Sequence, residues 1–112
     1  MNDQMRQCAR MCGDCHDTCL QTIQHCLSLG GAHADPAHIV LMMDCVEICQ
    51  TSANFMLRQS PLHGRTCAVC SEICEACARD CERLGDDGQM KLCADACRRC
   101  AQECRHMAAM AA

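Results

Sequence analysis

Apolar and soft side chains recur along the chain at steps of three, four and seven residues. That is the period of one helix face, and β-branched residues never alternate as a strand requires. Three stretches interrupt the pattern. In residues 29–38, Gly30 and Gly31 read as a helix stop and Asp35-Pro36 as an N-cap with the first helical position. Ser60-Pro61 repeats that start signal, and Gly85 reads as a C-cap followed by Asp86 or Asp87 as the next N-cap. The punctuation predicts four helices over about 2–28, 36–58, 61–84 and 88–109, with Gly13 and Gly64 as the only glycines well inside them. Connections this short join antiparallel neighbours. The expected fold is all-α: an antiparallel up-down-up-down four-helix bundle with a Cys-lined core, formed as one domain over residues 1–112.

The residues on the repeating face are unusual. Helix 1 carries Cys8, Cys12, Cys15, Cys19 and Cys26, and helix 2 carries Cys45 and Cys49. Helix 3 carries Cys67, Cys70, Cys74, Cys77 and Cys81, and helix 4 carries Cys93, Cys97, Cys100 and Cys104. Their spacing puts each set on one side of its helix, as at the a and d positions of a heptad. Four such faces turned inward make a tube lined with sulfur. Extending the face adds Met1, Met5 and Thr22, then His38, Met42, Ser52 and Met56, then His63 and Leu84, and finally Met90 and Met107. Flanking residues Ile23, Leu27, Ile39, Val46, Ile48, Val69, Ile73 and Leu92 are expected to seal neighbouring helices. The surplus would remain outside and favour oligomerisation.

Composition narrows the chemistry. The 112 residues include 16 Cys, 9 Met and 6 His, with Phe55 as the one aromatic residue. A formal net charge of −4 argues against nucleic-acid binding, which needs a basic face. No stretch approaches the length of a membrane span. The opening MNDQMRQCARMCGDC has no apolar run of the kind an exported precursor carries, so a cytoplasmic location is expected, where thiols stay reduced. Residues such as Glu72, Glu75, Arg79, Asp80, Glu82 and Arg83 read as a solvated face. His16, His25, His33, His63 and His106 read as surface. No phosphate loop, HExxH motif or isolated Cys/His pair suggests an enzyme.

Sixteen cysteines on one seam exceed what small hydrophobic filler explains, because Leu packs a bundle better and does not oxidise. Disulfides would fit a thiol-rich redox or structural protein, yet Cys three or four apart on one helix orient poorly for a bridge. Structural zinc usually takes a close ligand pair across a turn, and iron–sulfur clusters take compact loop spacings, neither of which occurs here. Cu(I) is soft, accepts few ligands and prefers thiolate and thioether. If each ion takes two thiolates and each thiolate bridges two ions, capacity approaches one ion per Cys, about 16 in all. Such a number implies storage. His38 and Met42 join the sixteen Cys as candidate ligands, because they line up with Cys45 and Cys49 at helical steps. Zinc, iron–sulfur and disulfide readings remain the alternatives.

The segments CAVCSEICEACARDC, CADACRRCAQECRHM and MDCVEIC, in this order over four helices, resemble the bacterial cysteine-rich four-helix-bundle copper storage proteins in their cytosolic form. The resemblance covers essentially the whole chain. It implies many Cu(I) ions held along the core through Cys, and a homotetramer. Helix 2 is poorer in Cys than the richest such proteins, with His38 and Met42 standing where further Cys would sit. The two bundle ends differ. One collects Met1, Met5, Phe55, Met56, Leu57, Leu62, His63, Met107 and Met110, and reads as an apolar plug. The other collects His25, Cys26, His38, Met42 and Met90 under polar loops, and reads as a mouth from which ions pass to Cys26 and Cys45.

Overall fold

The computed structural model describes residues 1–85 and 87–111. Among these residues it contains helices α1 (Asp3–Leu29), α2 (Pro36–Leu57), α3 (His63–Leu84) and α4 (Gly88–Ala111), one 3₁₀ turn (Gly31–Ala34), and no strand. Each helix packs chiefly on its two neighbours around a square, α1 on α2 and α4, and α3 on α2 and α4. The bundle measures 42 × 21 × 18 Å, with a long axis matching the roughly 40 Å of a 27-residue helix.

Local chemistry sets the helix ends. Asn2 Oδ1 accepts from Met5 N–H at 2.7 Å and opens α1. Gly30, at φ 72°, closes it by donating to Cys26 O. Pro36 takes the first helical position of α2 as expected, but the Asp35 side chain makes no capping bond. Asp87 caps α4, its Oδ1 accepting from Gln89 and Met90 N–H at 3.1 and 3.0 Å. Asp86, the other candidate, lies outside the described residues.

The turn between α2 and α3 departs from expectation. Ser60-Pro61 does not start α3, because Ser60 Oγ accepts from Leu62 N–H and the helix begins two residues later, at His63. The stop of α2 is a Schellman closure: Ser60 N–H donates to Phe55 O and Gln59 N–H to Met56 O, both at 2.9 Å. Gln59 stands at φ 54°, where glycine is usual, so no glycine in the sequence marks this end.

All sixteen Cys are fully buried, with Met42, Met56, Met90, Met107, His38, Thr22 and Ser52. Ile23, Ile39, Val46, Ile48 and Ile73 pack against this core from its edges. Leu27, Val69 and Leu92 do not seal helices but remain about half exposed. The interior is therefore sulfur, and the aliphatic side chains form its partial jacket.

Candidate metal centre

The tube forms because the Cys seam of each helix faces the bundle axis, where side chains from four helices converge. Every cysteine is a free thiol. The close contacts between cysteine sulfurs run from 3.4 to 3.9 Å, well beyond disulfide length and within reach of a shared S–H or a shared metal ion.

Fourteen of the sixteen sulfurs fall into five groups of mutually close atoms. From the plug inward these are Cys8/Cys67/Cys104, Cys12/Cys70/Cys100/Cys104, Cys15/Cys49/Cys74/Cys100, Cys15/Cys19/Cys45/Cys97 and Cys19/Cys77/Cys93/Cys97. Cys15, Cys19, Cys97, Cys100 and Cys104 each belong to two groups, so the groups join by shared corners into one chain. The Cys15/Cys19/Cys45/Cys97 group is almost a regular tetrahedron, with all six edges between 3.7 and 3.9 Å. The centre of such a figure lies about 2.3 Å from each corner, the length of a metal–thiolate bond.

Cys26 and Cys81 stand outside the five groups, toward the polar end. Cys81 Sγ lies 3.7 Å from Cys93 Sγ and 3.6 Å from Met42 Sδ, either of which can accept its one S–H, and Cys77 donates to Met42 Sδ at 3.3 Å. Cys26 Sγ lies 3.3 Å from His38 Nε2 and 3.6 Å from Met90 Sδ, two groups that compete for its single S–H. All four helices thus contribute at this end, with Cys26 from α1, His38 and Met42 from α2, Cys81 from α3 and Met90 from α4. At the opposite end Cys67 donates to Met56 Sδ and lies 3.4 Å from Ser52 Oγ, beneath the partly buried Met1 and Met5.

Several sequence expectations change. Cys45, expected to receive ions early together with Cys26, lies apart from it. Its neighbours are Cys15, Cys19, Cys74 and Cys97, deep in the tube, because it sits seven residues further along α2 than His38. His25 and His33 are half-buried, and His25 Nε2 lies 3.1 Å from Asp87 Oδ1. His16 is also mostly covered and bonds Asp17, and His63 bonds Ser60 O, whereas His106 is exposed. Leu57, Leu62 and Met110 are exposed at the plug end and do not fill it.

Asp80 is the residue that the sequence reading missed. Its Oδ2 lies 2.6 Å from His38 Nδ1, and its Oδ1 accepts from Arg83 Nε and Nη2 at 3.0 and 2.9 Å. Partial burial works to raise this carboxyl, but the bonds from His38 and Arg83 prevail and hold it below the ordinary range. Its place one residue before Cys81, and three after Cys77, was the signal available, since that position borders the seam. Folding also assembles Cys26, His38 and Asp80 into a thiol–imidazole–carboxylate row that no local motif announces. Burial, with the charges of Cys93 and Asp87, pushes the Cys26 thiol up to about 11. A nucleophilic cysteine needs the opposite shift.

The fold and site define a class: helical bundles whose interior is a continuous array of sulfur-bearing side chains. The family model for copper storage proteins matches residues 1–109, and the chain belongs to that family. A cysteine-rich protein of Bacillus subtilis, YhjQ, is 35% identical over 87 residues, covering 78% of this chain and 81% of the relative. The crystal structure of the Nmul_A1745 protein from Nitrosospira multiformis has a TM-score of 0.92 at 47% identity, covering 98% of this chain and 99% of the other. The Cu(I)-bound copper storage protein BsCsp3 has a TM-score of 0.87 at 34% identity, with 95% and 99% covered. The apo form of copper storage protein 3 from Bacillus subtilis has a TM-score of 0.83 at 35% identity, with 92% and 97% covered.

Proposed function

We propose that this protein stores many Cu(I) ions in the cytoplasm, that the sixteen Cys are the ligands, and that His38 and Met42 assist at the mouth. The observation that carries this reading is the corner-sharing of the sulfur groups. A shared corner is a bridging thiolate, and bridging suits a soft ion with few ligands. Charge argues the same way. A Cu(I) ion neutralises one thiolate, so equal numbers of ions and thiolates leave the buried tube neutral. Divalent ions in separate four-thiolate sites would each leave two uncompensated negative charges in a buried core, which is costly.

Copper is held here as cargo, and the chain is read as a store and not as an enzyme. The whole chain acts as one metal-binding domain. About half-exposed apolar side chains on its flanks, including Leu20, Leu27, Val40 and Met43, support assembly into a homo-oligomer, a tetramer by the family resemblance.

Anaerobic titration of the reduced protein with Cu(I) against a competing chelator tests the reading. Uptake approaching 16 ions per chain, with ultraviolet thiolate bands and none in the visible, is expected. Saturation at one to four ions, or tighter retention of zinc or an iron–sulfur cluster, overturns it. For the mouth, changing both His38 and Met42 to Ala should slow loading and removal and leave capacity nearly unchanged, whereas Met5→Leu with Met107→Leu should do little.

A further inference from the structure

We infer that Asp80 is a positioning residue that fixes the His38 ring and its tautomer, so that Nε2 offers its lone pair beside Cys26 as a ready ligand for incoming Cu(I). The inference rests on the copper-storage reading and adds to it a residue that binds no metal itself.

A carboxylate only accepts hydrogen bonds, so the 2.6 Å contact makes His38 Nδ1–H the donor to Asp80 Oδ2. In the neutral ring the other nitrogen, Nε2, then carries the lone pair. That nitrogen is the one 3.3 Å from Cys26 Sγ. Met90 Sδ lies 3.6 Å from the same sulfur, so an imidazole and a thioether both border the Cys26 thiol. The His38 side chain is fully covered, so water cannot select the tautomer in Asp80's place.

Asp80 is itself held. Arg83 uses two N–H groups on Oδ1 and leaves Oδ2 to His38, so each oxygen has one task. The row runs from Arg83 and Asp80 on α3, through His38 on α2, to Cys26 on α1. A carboxylate behind a metal-binding imidazole sets ring orientation and raises its basicity, and its loss typically costs 10–100-fold in metal affinity.

Asp80→Asn separates this role from simple packing. Arg83 still requires an acceptor, so the Asn oxygen turns to Arg83 and its NH₂ faces His38 Nδ1. The ring must then carry its proton on Nε2, and the lone pair turns away from Cys26. Long-range ¹H–¹⁵N spectra of the metal-free protein read this directly. We expect Nδ1–H in the parent protein, Nε2–H in Asp80→Asn, and a return to Nδ1–H in Asp80→Asn with Arg83→Ala, where the amide is free to flip back.

Stopped-flow uptake from a weak Cu(I) donor should be about 10-fold slower in Asp80→Asn and recover in part in the double variant, at unchanged final capacity. An unchanged tautomer in Asp80→Asn overturns the positioning role. A switched tautomer with unchanged loading overturns the ligand role of His38. If the parent protein bound only one or two copper ions, the storage reading would fall and the ligand role with it. The metal-free spectra would still decide the positioning role alone.

Discussion

At the scale of single residues, the cysteines differ by the company each keeps. Cys97 touches Cys15, Cys19 and Cys45, and its thiol is pushed up by bonds to these neighbours and by burial. Because Cys97 belongs to two sulfur groups, Cys97→Ala should remove about two ions of capacity, the pair its thiolate would bridge. Cys26→Ala, at a single mouth site, should remove one at most and mainly slow uptake; chelator competition and stopped-flow absorbance read the two effects. Protonation follows from the same environments. The Cys26 thiol rises from its ordinary 9.0 to about 11, so the folded chain holds that proton more tightly than the unfolded chain does. Its stabilising contribution is complete below pH 9 and is lost as pH rises toward 11. The metal-free protein should therefore melt at falling temperature across that window. The copper-loaded protein, whose thiols have already given up their protons, should change less. Differential scanning calorimetry of both forms checks the contrast.

At the scale of elements, two helix ends carry opposite expectations. Gln59 occupies the left-handed region at the close of α2, a conformation costing an L-residue about 1–2 kcal/mol, although glycine gains flexibility in the unfolded chain. Gln59→Gly should thus stabilise the protein by about 0.5–1 kcal/mol net. Asp87 caps two N–H groups at the start of α4, and Asp87→Ala should cost about 1 kcal/mol, lowering Tm by roughly 4–8 °C. Thermal melts followed by circular dichroism measure both. If Gln59→Gly lowered Tm, the left-handed closure of α2 would be wrong.

Across the whole molecule, charge is polarised along the tube. Within two helical turns of the end that carries the α1–α2 and α3–α4 loops stand Asp35, Asp80, Glu82, Asp87 and Asp95 against Arg79, Arg83 and Lys91. The opposite end carries Arg6, Arg10, Arg58, Arg65 and Arg105 against Asp3. Under the proposed entry at that end, a cationic Cu(I) complex would be drawn in and an anionic one repelled, and salt would screen both effects, with a Debye length of about 30 Å at 0.01 M and 8 Å at 0.15 M. Raising ionic strength across that range should slow loading from a cationic donor and speed it from an anionic chelate, by about 2–5-fold each. Stopped-flow rates that move in the same direction for both donors would remove steering as the cause.

Local spacing along the chain dictates the helices and the identity of the lining. Cys, Met42, Met56, Met90, Met107, His38, Thr22 and Ser52 share a step of three or four, and a helix turns that step into a face whatever it meets. Glycine and proline marked three helix ends for similarly local reasons, and the end of α2 fell where expected, although Gln59 and not a glycine takes the left-handed position there. The tertiary structure alone decided which sulfur meets which. Cys45 lies deep in the tube and Cys26 near one end because the depth of each depends on how four helices are staggered, a quantity no single helix contains. Asp80 likewise looked like one more surface carboxylate until α2 brought His38 beside it. Spacing along one chain segment fixes a face, but a site built from four segments exists only after they pack.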